Sequence, residues 1–427
     1  MLLGLRVRRG AARAGLLLVC CWGGASLASA QEDAPADPAP TSAEPGAFAE
    51  VAGTGSVEAR IGYYQNDDAN GDGNPFLDED LTVIEPVIVV DYNVTNRLAV
   101  GGQFSYDSVS SASIKRLSNY PEQSGASGDF YFGGDLNARY KLTPAVKLGA
   151  HAGLSTEYDY SSFGFGGDAS FDLNEQNTTL KLGFNGYFDT VKTIRFNGTR
   201  EGDERRVSLT ANLDLYQILT PTLHMSAGLS LTHQSGFLET AFNGVVLEDP
   251  NNPLVGDLDP GAFVNLTNLP PGVAVVAEAL PDTRIRAAVF GELRKYLDSG
   301  TSLSFRARLY QDSWGIFSVA PELRVYQWIV DDVFRVRFRY RFYAQTAAKD
   351  YSRHFFVPSA ARPSDPLKPG TRRTQDSDLS EFSSHTIGLK LTLHATDSVE
   401  LDLGGDYVLR EDGIDQLLVS VGVRVGF

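Results

Sequence analysis

Gln416-Leu-Leu-Val-Ser-Val-Gly-Val-Arg-Val-Gly-Phe427 alternates almost without error. Leu417, Val419, Val421, Val423, Val425 and Phe427 share one parity, and Gln416, Ser420, Gly422, Arg424 and Gly426 share the other. Side chains on a strand point to opposite faces with a period of two, so this segment has one face suited to lipid and one suited to water. That is the pattern of a strand that crosses a membrane as part of a barrel.

Working outward, segments of similar alternation recur along the chain. They fall near residues 56–65, 81–92, 97–107, 129–140, 146–158, 163–174, 178–189, 206–218, 223–234, 283–296, 301–311, 316–329, 333–345, 384–394, 399–409 and 416–427. Their length of roughly 10 to 14 residues is what a tilted strand needs to cross the hydrocarbon layer. Every second connection is a tight turn: 93–96, 142–145, 174–177, 219–222, 298–300, 330–332 and 395–398. The intervening connections include all the long ones: 66–80, 108–128, 190–205, 235–282 and 346–383. Short periplasmic turns alternating with long external loops, with an even strand count, predict an all-β fold: a transmembrane antiparallel up-and-down β-barrel of about sixteen strands. A sheet exposed to lipid must close to satisfy its edges, which a soluble sandwich need not do. The terminal aromatic Phe427, with Val425 and Val423 before it, is similar to the assembly signal of Gram-negative outer-membrane proteins and implies their assembly machinery as a partner. Outward aromatics near strand ends, Tyr92, Tyr140 and Phe427 on the turn side and Tyr106, Phe130, Tyr158 and Phe188 on the loop side, predict two girdles that meet lipid and lipopolysaccharide.

The amino terminus carries Arg6, Arg8, Arg9 and Arg13, then an apolar run over 14–22 and small residues ending in Ala28-Ser-Ala30. This order predicts a cleaved secretory signal over 1–30 and export to the bacterial outer membrane. Residues 31–55, rich in Pro, Ala and acidic side chains, predict a flexible periplasmic tail, which leaves 56–427 as the barrel. Both cysteines, Cys20 and Cys21, lie in the predicted signal, so the exported chain has neither disulfides nor thiolate metal sites. The full chain has 37 basic and 53 acidic residues; loss of the signal's four arginines takes the net charge from −16 to −20. Such acidity argues against nucleic acid as a partner. Mean hydropathy is only −0.16, and no apolar run reaches the roughly 18 residues of a membrane helix.

Phe334 to Tyr343 reads F-R-V-R-F-R-Y-R-F-Y, placing Arg335, Arg337, Arg339 and Arg341 on one face. Each arginine would cost about 2 to 4 kcal/mol at the bilayer midplane, so these four are predicted to line the lumen. The same alternation puts Arg284, Arg286 and Arg294, then Arg306 and Arg308, then Arg324 on the luminal faces of the three preceding strands. The first half of the chain supplies luminal Glu58, Glu85, Asp91, Asp107, Asp135, Glu157, Asp168, Asp172, Asp189 and Asp214, against fewer cations such as Arg60, Arg97, Arg139 and Lys147. Two walls of opposite excess charge would set a transverse field across a water-filled pore. Equally, the arginines would neutralise Glu292, Glu322, Glu400, Asp402 and Asp406 in a blocked lumen.

In the first external loop Asp68, Asn70 and Asp72, with Gly73 and then Glu79, fit D-x-[DN]-x-[DN]-G-x5-E, a spacing that wraps oxygen ligands around calcium. Strands rather than helices flank it, and a solvated acidic loop has the same composition. No H-E-x-x-H or G-x-S-x-G occurs, and the six histidines do not cluster, so no catalytic centre is predicted.

Asp312-Ser-Trp-Gly-Ile-Phe-Ser318, Arg339-Tyr-Arg-Phe-Tyr343 with Gln345 and Ala347-Ala348, and the segment from Asp376 to Lys390 together resemble a domain-of-unknown-function family of Gram-negative outer-membrane barrels. The resemblance covers about residues 55 to 427 and implies an outer-membrane barrel without specifying a substrate. It also implies association with flavin-transfer and thioredoxin-like proteins, for which a cysteine-free barrel would serve only as sheath or anchor to a periplasmic redox partner. The leading expectation is a porin-like channel for small polar or anionic solutes. Next comes a non-conducting scaffold whose 235–282 and 346–383 loops fill or cap the lumen, and third an outer-membrane hydrolase.

Overall fold

The computed structural model describes residues 51–427 other than 72, 77–78, 112–126, 263, 265–268 and 358–369. The predicted signal and most of the predicted tail lie outside these residues. Sixteen strands close a barrel: β1 (Gly55–Asp67), β2 (Leu81–Asn93), β3 (Leu98–Ser111), β4 (Ser127–Thr143), β5 (Val146–Thr156), β6 (Tyr160–Leu173), β7 (Thr178–Ile194), β8 (Arg200–Thr220), β9 (Leu223–Gly236), β12 (Thr283–Tyr296), β13 (Thr301–Asp312), β14 (Phe317–Val330), β15 (Phe334–Gln345), β17 (Phe382–Thr396), β18 (Val399–Arg410) and β19 (Asp415–Gly426). Each pairs antiparallel with its neighbours in sequence order, and β1 pairs with β19 to close the ring. At the seam Ile61 lies opposite Val421, and Gly55 and Phe427 exchange backbone hydrogen bonds of 2.9 and 3.0 Å.

The predicted register holds. Val421, Val423, Val425 and Phe427 are exposed on the outer surface, Val421 to 55% and Phe427 to 61%, whereas Gly422 between them is buried. Every other wall strand shows the same apolar outer parity, for example Ile285, Val289 and Leu293 on β12 and Phe305 and Leu309 on β13. So much apolar surface facing outward around a closed ring is stable only against lipid, and this is a transmembrane barrel. Tyr92 stacks 6.4 Å from Phe427 at the turn end, and Phe165 stacks 5.9 Å from Phe188 at the loop end, at the heights predicted for the girdles. The side chain of Phe130 lies outside the described residues.

Three predicted connections differ. The segment 190–205, expected as a loop, is mostly strand: β7 runs to Ile194, β8 starts at Arg200, and Lys192 lies opposite Asp203. Its charged residues fall on both faces, so it carries no amphipathic period, and this hairpin continues beyond the band where lipid imposes one. Within 235–282 and 346–383, three short strands, β10 (Gly244–Glu248), β11 (Ala274–Ala277) and β16 (Phe355–Phe356), form a separate sheet in the order β11-β10-β16. All five residues of β10 are buried, and an element covered on both faces reads as a continuous apolar run rather than an alternation.

Candidate functional site: the arginine wall and the capped lumen

The luminal face of β12 to β15 is built by register. Glu292 of β12 lies opposite Arg306 of β13, Arg306 opposite Glu322 of β14, and Glu322 opposite Arg341 of β15, a row of alternating charge across four strands. One residue pair further along, Arg324 and Arg339 lie directly opposite each other, a repulsive arrangement unless an anion intervenes. Glu322 supplies it, pairing Arg324 through one carboxylate oxygen and Arg339 through the other at 2.8 Å. Arg339 also reaches Asp406 at 3.4 Å, across the bare Gly388 that lies opposite Asp406.

The remaining arginines are held differently. Arg284 is buried at the loop end, bonds Asp312 at 2.6 Å and lies 4.1 Å over the Trp314 ring. Arg306 lies 4.7 Å over the luminal Phe290, and Arg335 lies 5.9 and 5.3 Å from the rings of Tyr326 and Trp328. Arg341 lies 5.5 Å from the Tyr343 ring, while Arg286 and Arg308 take the luminal positions their parity predicts. Among the described residues, Arg306, Arg335 and Arg337 have no carboxylate within ion-pair distance.

The opposite wall carries more cations than expected. Besides Arg60 on Glu58, Arg139 on Asp91 at 2.9 Å and Lys147 on Asp172 at 3.3 Å, Lys181 faces Asp168 at 3.6 Å and Arg206 bonds Asp189 at 2.8 Å. Lys181 and Arg206 were missed, although the alternation of Leu180 and Leu182 around Lys181 carried the signal.

At the loop end, the long connections fold into a cap with its own apolar interior. Val246 and Val255 pack on Phe76 of the first loop, and Val245 and Leu247 pack on Val357. Within the cap, Glu248, Glu278 and Glu79 are each engaged. Glu248 accepts from the Val255 N–H at 2.7 Å and lies 2.8 Å from His354 Nδ1. Glu278 accepts from the Thr240 N–H and the Thr374 hydroxyl. Glu79 accepts from the Asn74 N–H at 2.8 Å and the Ser377 hydroxyl at 2.5 Å. Burial foremost, with the nearby Asp378 adding to it, pushes the Glu79 carboxyl up to about 7.

The cap docks on luminal side chains at the mouth. Leu280, Trp314, Ile316, Ala348 and Leu379 pack with the wall residue Tyr310, and Gln345 at the end of β15 donates to the carbonyls of Asp378 and Ser380 at 2.8 and 2.6 Å. Arg410 at the end of β18 bonds Asp378 and Asp412, each at 2.6 Å, and lies 3.9 Å over Phe382. All three segments that carry the family resemblance, Asp312 to Ser318, Asp376 to Lys390, and the third through Gln345 and Ala348, therefore meet at this junction. Sequence reasoning found these segments but not their role, because each contact joins positions far apart in the chain.

Of the predicted calcium ligands, Asp68 and Glu79 are brought together: the Glu79 N–H donates to Asp68 Oδ2 at 2.7 Å. Asn70 lies beside the Asp412–Gly413 turn, and Asp72 lies outside the described residues. Among the described residues no three His, Cys, Asp or Glu side chains converge as a metal site.

Among curated proteins none matches this sequence. Among solved structures the fold is similar to that of a bacterial polysaccharide outer membrane secretin, at 10% identity and a TM-score of 0.47, over 87% of this chain and 98% of that one. It is also similar to the outer membrane protein opdK from Pseudomonas aeruginosa, at 8% identity and a TM-score of 0.39, over 88% and 98%. The siderophore receptor PirA from Acinetobacter baumannii matches at 10% identity and a TM-score of 0.41, over 84% of this chain but only 53% of that one. These are likenesses of barrel architecture alone. A family model covers residues 129–417, from β4 to within β19, and the chain belongs to that family, described as "Protein of unknown function (DUF3570)".

Proposed function

We propose that the protein is an outer-membrane channel for small polar or anionic solutes, with selectivity set by the arginine wall. The observation that carries this reading is the trio Arg306, Arg335 and Arg337, luminal and without a carboxylate partner among the described residues. Cations kept only to neutralise a filled lumen would be paired, since an unpaired buried charge is costly. Beside water they instead concentrate anions, within a screening length of about 10 Å at 0.1 M salt. In planar bilayers under a salt gradient, the purified protein is expected to show a reversal potential on the anion side. Arg306→Gln with Arg337→Gln should move it towards cations. An unchanged potential in the double variant would make these arginines structural and end the selectivity reading.

The cap favours a second reading, a non-conducting scaffold for a surface or periplasmic partner, because its packed interior sits over the mouth. Absence of conductance at any voltage would support that reading against the first.

A further inference from the structure

At the turn end of the lumen, β8, β9 and β12 to β15 enclose a cavity of about 340 Å³. Its size falls at the lower end of small-molecule sites. Arg294 and Arg335 both project into it, 5.8 and 5.9 Å from the ring of Tyr326, with Trp328 beneath Arg335. A register shift in the β14–β15 pair falls between Trp328 and Val330, next to the point where Trp328 faces Arg335. Such bulges re-aim side chains. The rings thus hold the guanidinium planes in place, and Arg335 keeps its N–H edge for a ligand.

The rest of the lining is rich in hydroxyls. Ser302 lines the cavity, and its Oγ is buried and has no hydrogen-bond partner among the described residues. Tyr216 and His224 Nδ1 bond each other at 2.7 Å, and the Glu292 carboxylate takes Arg294 at 3.1 Å and the Ser304 hydroxyl at 2.8 Å. Arg335 alone among the cavity's charged groups has no opposite charge within ion-pair distance among the described residues.

We propose that this cavity binds a small hydroxylated carboxylate, the size of a sugar acid. A guanidinium fork matches two carboxylate oxygens and would satisfy Arg335, while Ser302 and the Tyr216–His224 pair offer partners to ligand hydroxyls. A neutral sugar leaves Arg335 unpaired. An aromatic acid would have to displace a guanidinium to stack on Tyr326. The site deepens the channel reading and rests on it for the route by which the ligand arrives, whereas binding is measured apart from conduction.

The test is calorimetry of the purified, folded full-length barrel in detergent with D-gluconate, glucose, benzoate and inorganic phosphate. Saturable gluconate binding at least about tenfold tighter than any of the other three is expected. Arg335→Gln should weaken it about tenfold or more, and Arg335→Lys should recover only part, since a point charge lacks the fork. Lys192→Gln, at the loop end, should leave it unchanged. If the Arg335 variants do not fold, as judged by heat-modifiable migration, Ser302→Ala with an expected loss of roughly threefold carries the test. No saturable gluconate heat, equal affinity for phosphate or benzoate, or full affinity in Arg335→Gln or Ser302→Ala would overturn the proposal. Gluconate binding without conductance removes the channel reading alone, and conductance without gluconate binding removes this site alone.

Discussion

The two ends of the lumen are made by the same strands under the same alternation, yet they are finished differently. At the loop end the inward parity meets folded loops, so Tyr310 and Tyr343 sit buried against packed side chains. At the turn end the connections are too short to fold inward, and the inward parity leaves Arg294, Arg335 and Trp328 around a cavity. Strand patterning decides which side chains face inward; connection length decides what they meet there.

The sharpest way to break this contrast is to spoil the cap while sparing the wall. Leu379 is fully buried between cap and wall, and Leu379→Asp should cost about 3–5 kcal/mol by leaving a charge there without a partner. Limited proteolysis should then cut within 346–383 while the barrel keeps its heat-modifiable migration. If the barrel is lost as well, the two ends form one cooperative unit.

A smaller effect is expected on the wall. Val423→Asp puts charge into lipid and should destabilise folding by up to about 2 kcal/mol more than Ser420→Asp, which faces the lumen. Equal folding of the two in urea titrations would contradict the register.

The cap should also respond to pH. The Glu79 carboxyl is raised from 4.5 to about 7, so between these values the folded cap holds a proton that the unfolded chain has released. Stability therefore falls as pH rises through that window and levels off above about 7. Because Glu79 is only half-buried, the loss should be on the order of 1–2 kcal/mol. Hydrogen exchange in the cap that does not quicken from pH 5 to 8, after correction for intrinsic rates, would remove Glu79 as its cause.

The smallest effect concerns calcium at the same loop. If Asp68, Asn70, Asp72 and Glu79 hold the ion, its affinity should lie near 10⁻⁴ to 10⁻³ M and strengthen above pH 7, once Glu79 has lost its proton. Glu79→Gln should weaken it most. No calcium heat at millimolar concentration would leave Glu79 as a latch to Ser377 only.

The wall was legible because lipid imposes a period of two over a dozen residues at a time, and Arg335 to Arg341 could be placed by counting. Ion-pair partners needed register as well. Arg324 and Arg339 share Glu322 only because β14 and β15 place them opposite each other, which the sequence of one strand does not show. The cap was least legible. Val245-Val-Leu247 is too short to show a period, and its partners Phe76, Gln375 and Val357 come from two other connections.

The seam has a kinetic consequence. The strand that closes the ring against β1 is β19, so the last pairing to become available joins positions more than three hundred residues apart. Loop-closure entropy makes such a contact slow, and until it forms two raw strand edges stand open to other chains. The polypeptide must therefore wait, unfolded and protected, until Phe427 is delivered. A chain stopped even one strand early has no shorter ring to settle into, so truncation should yield aggregated or degraded protein rather than a smaller pore.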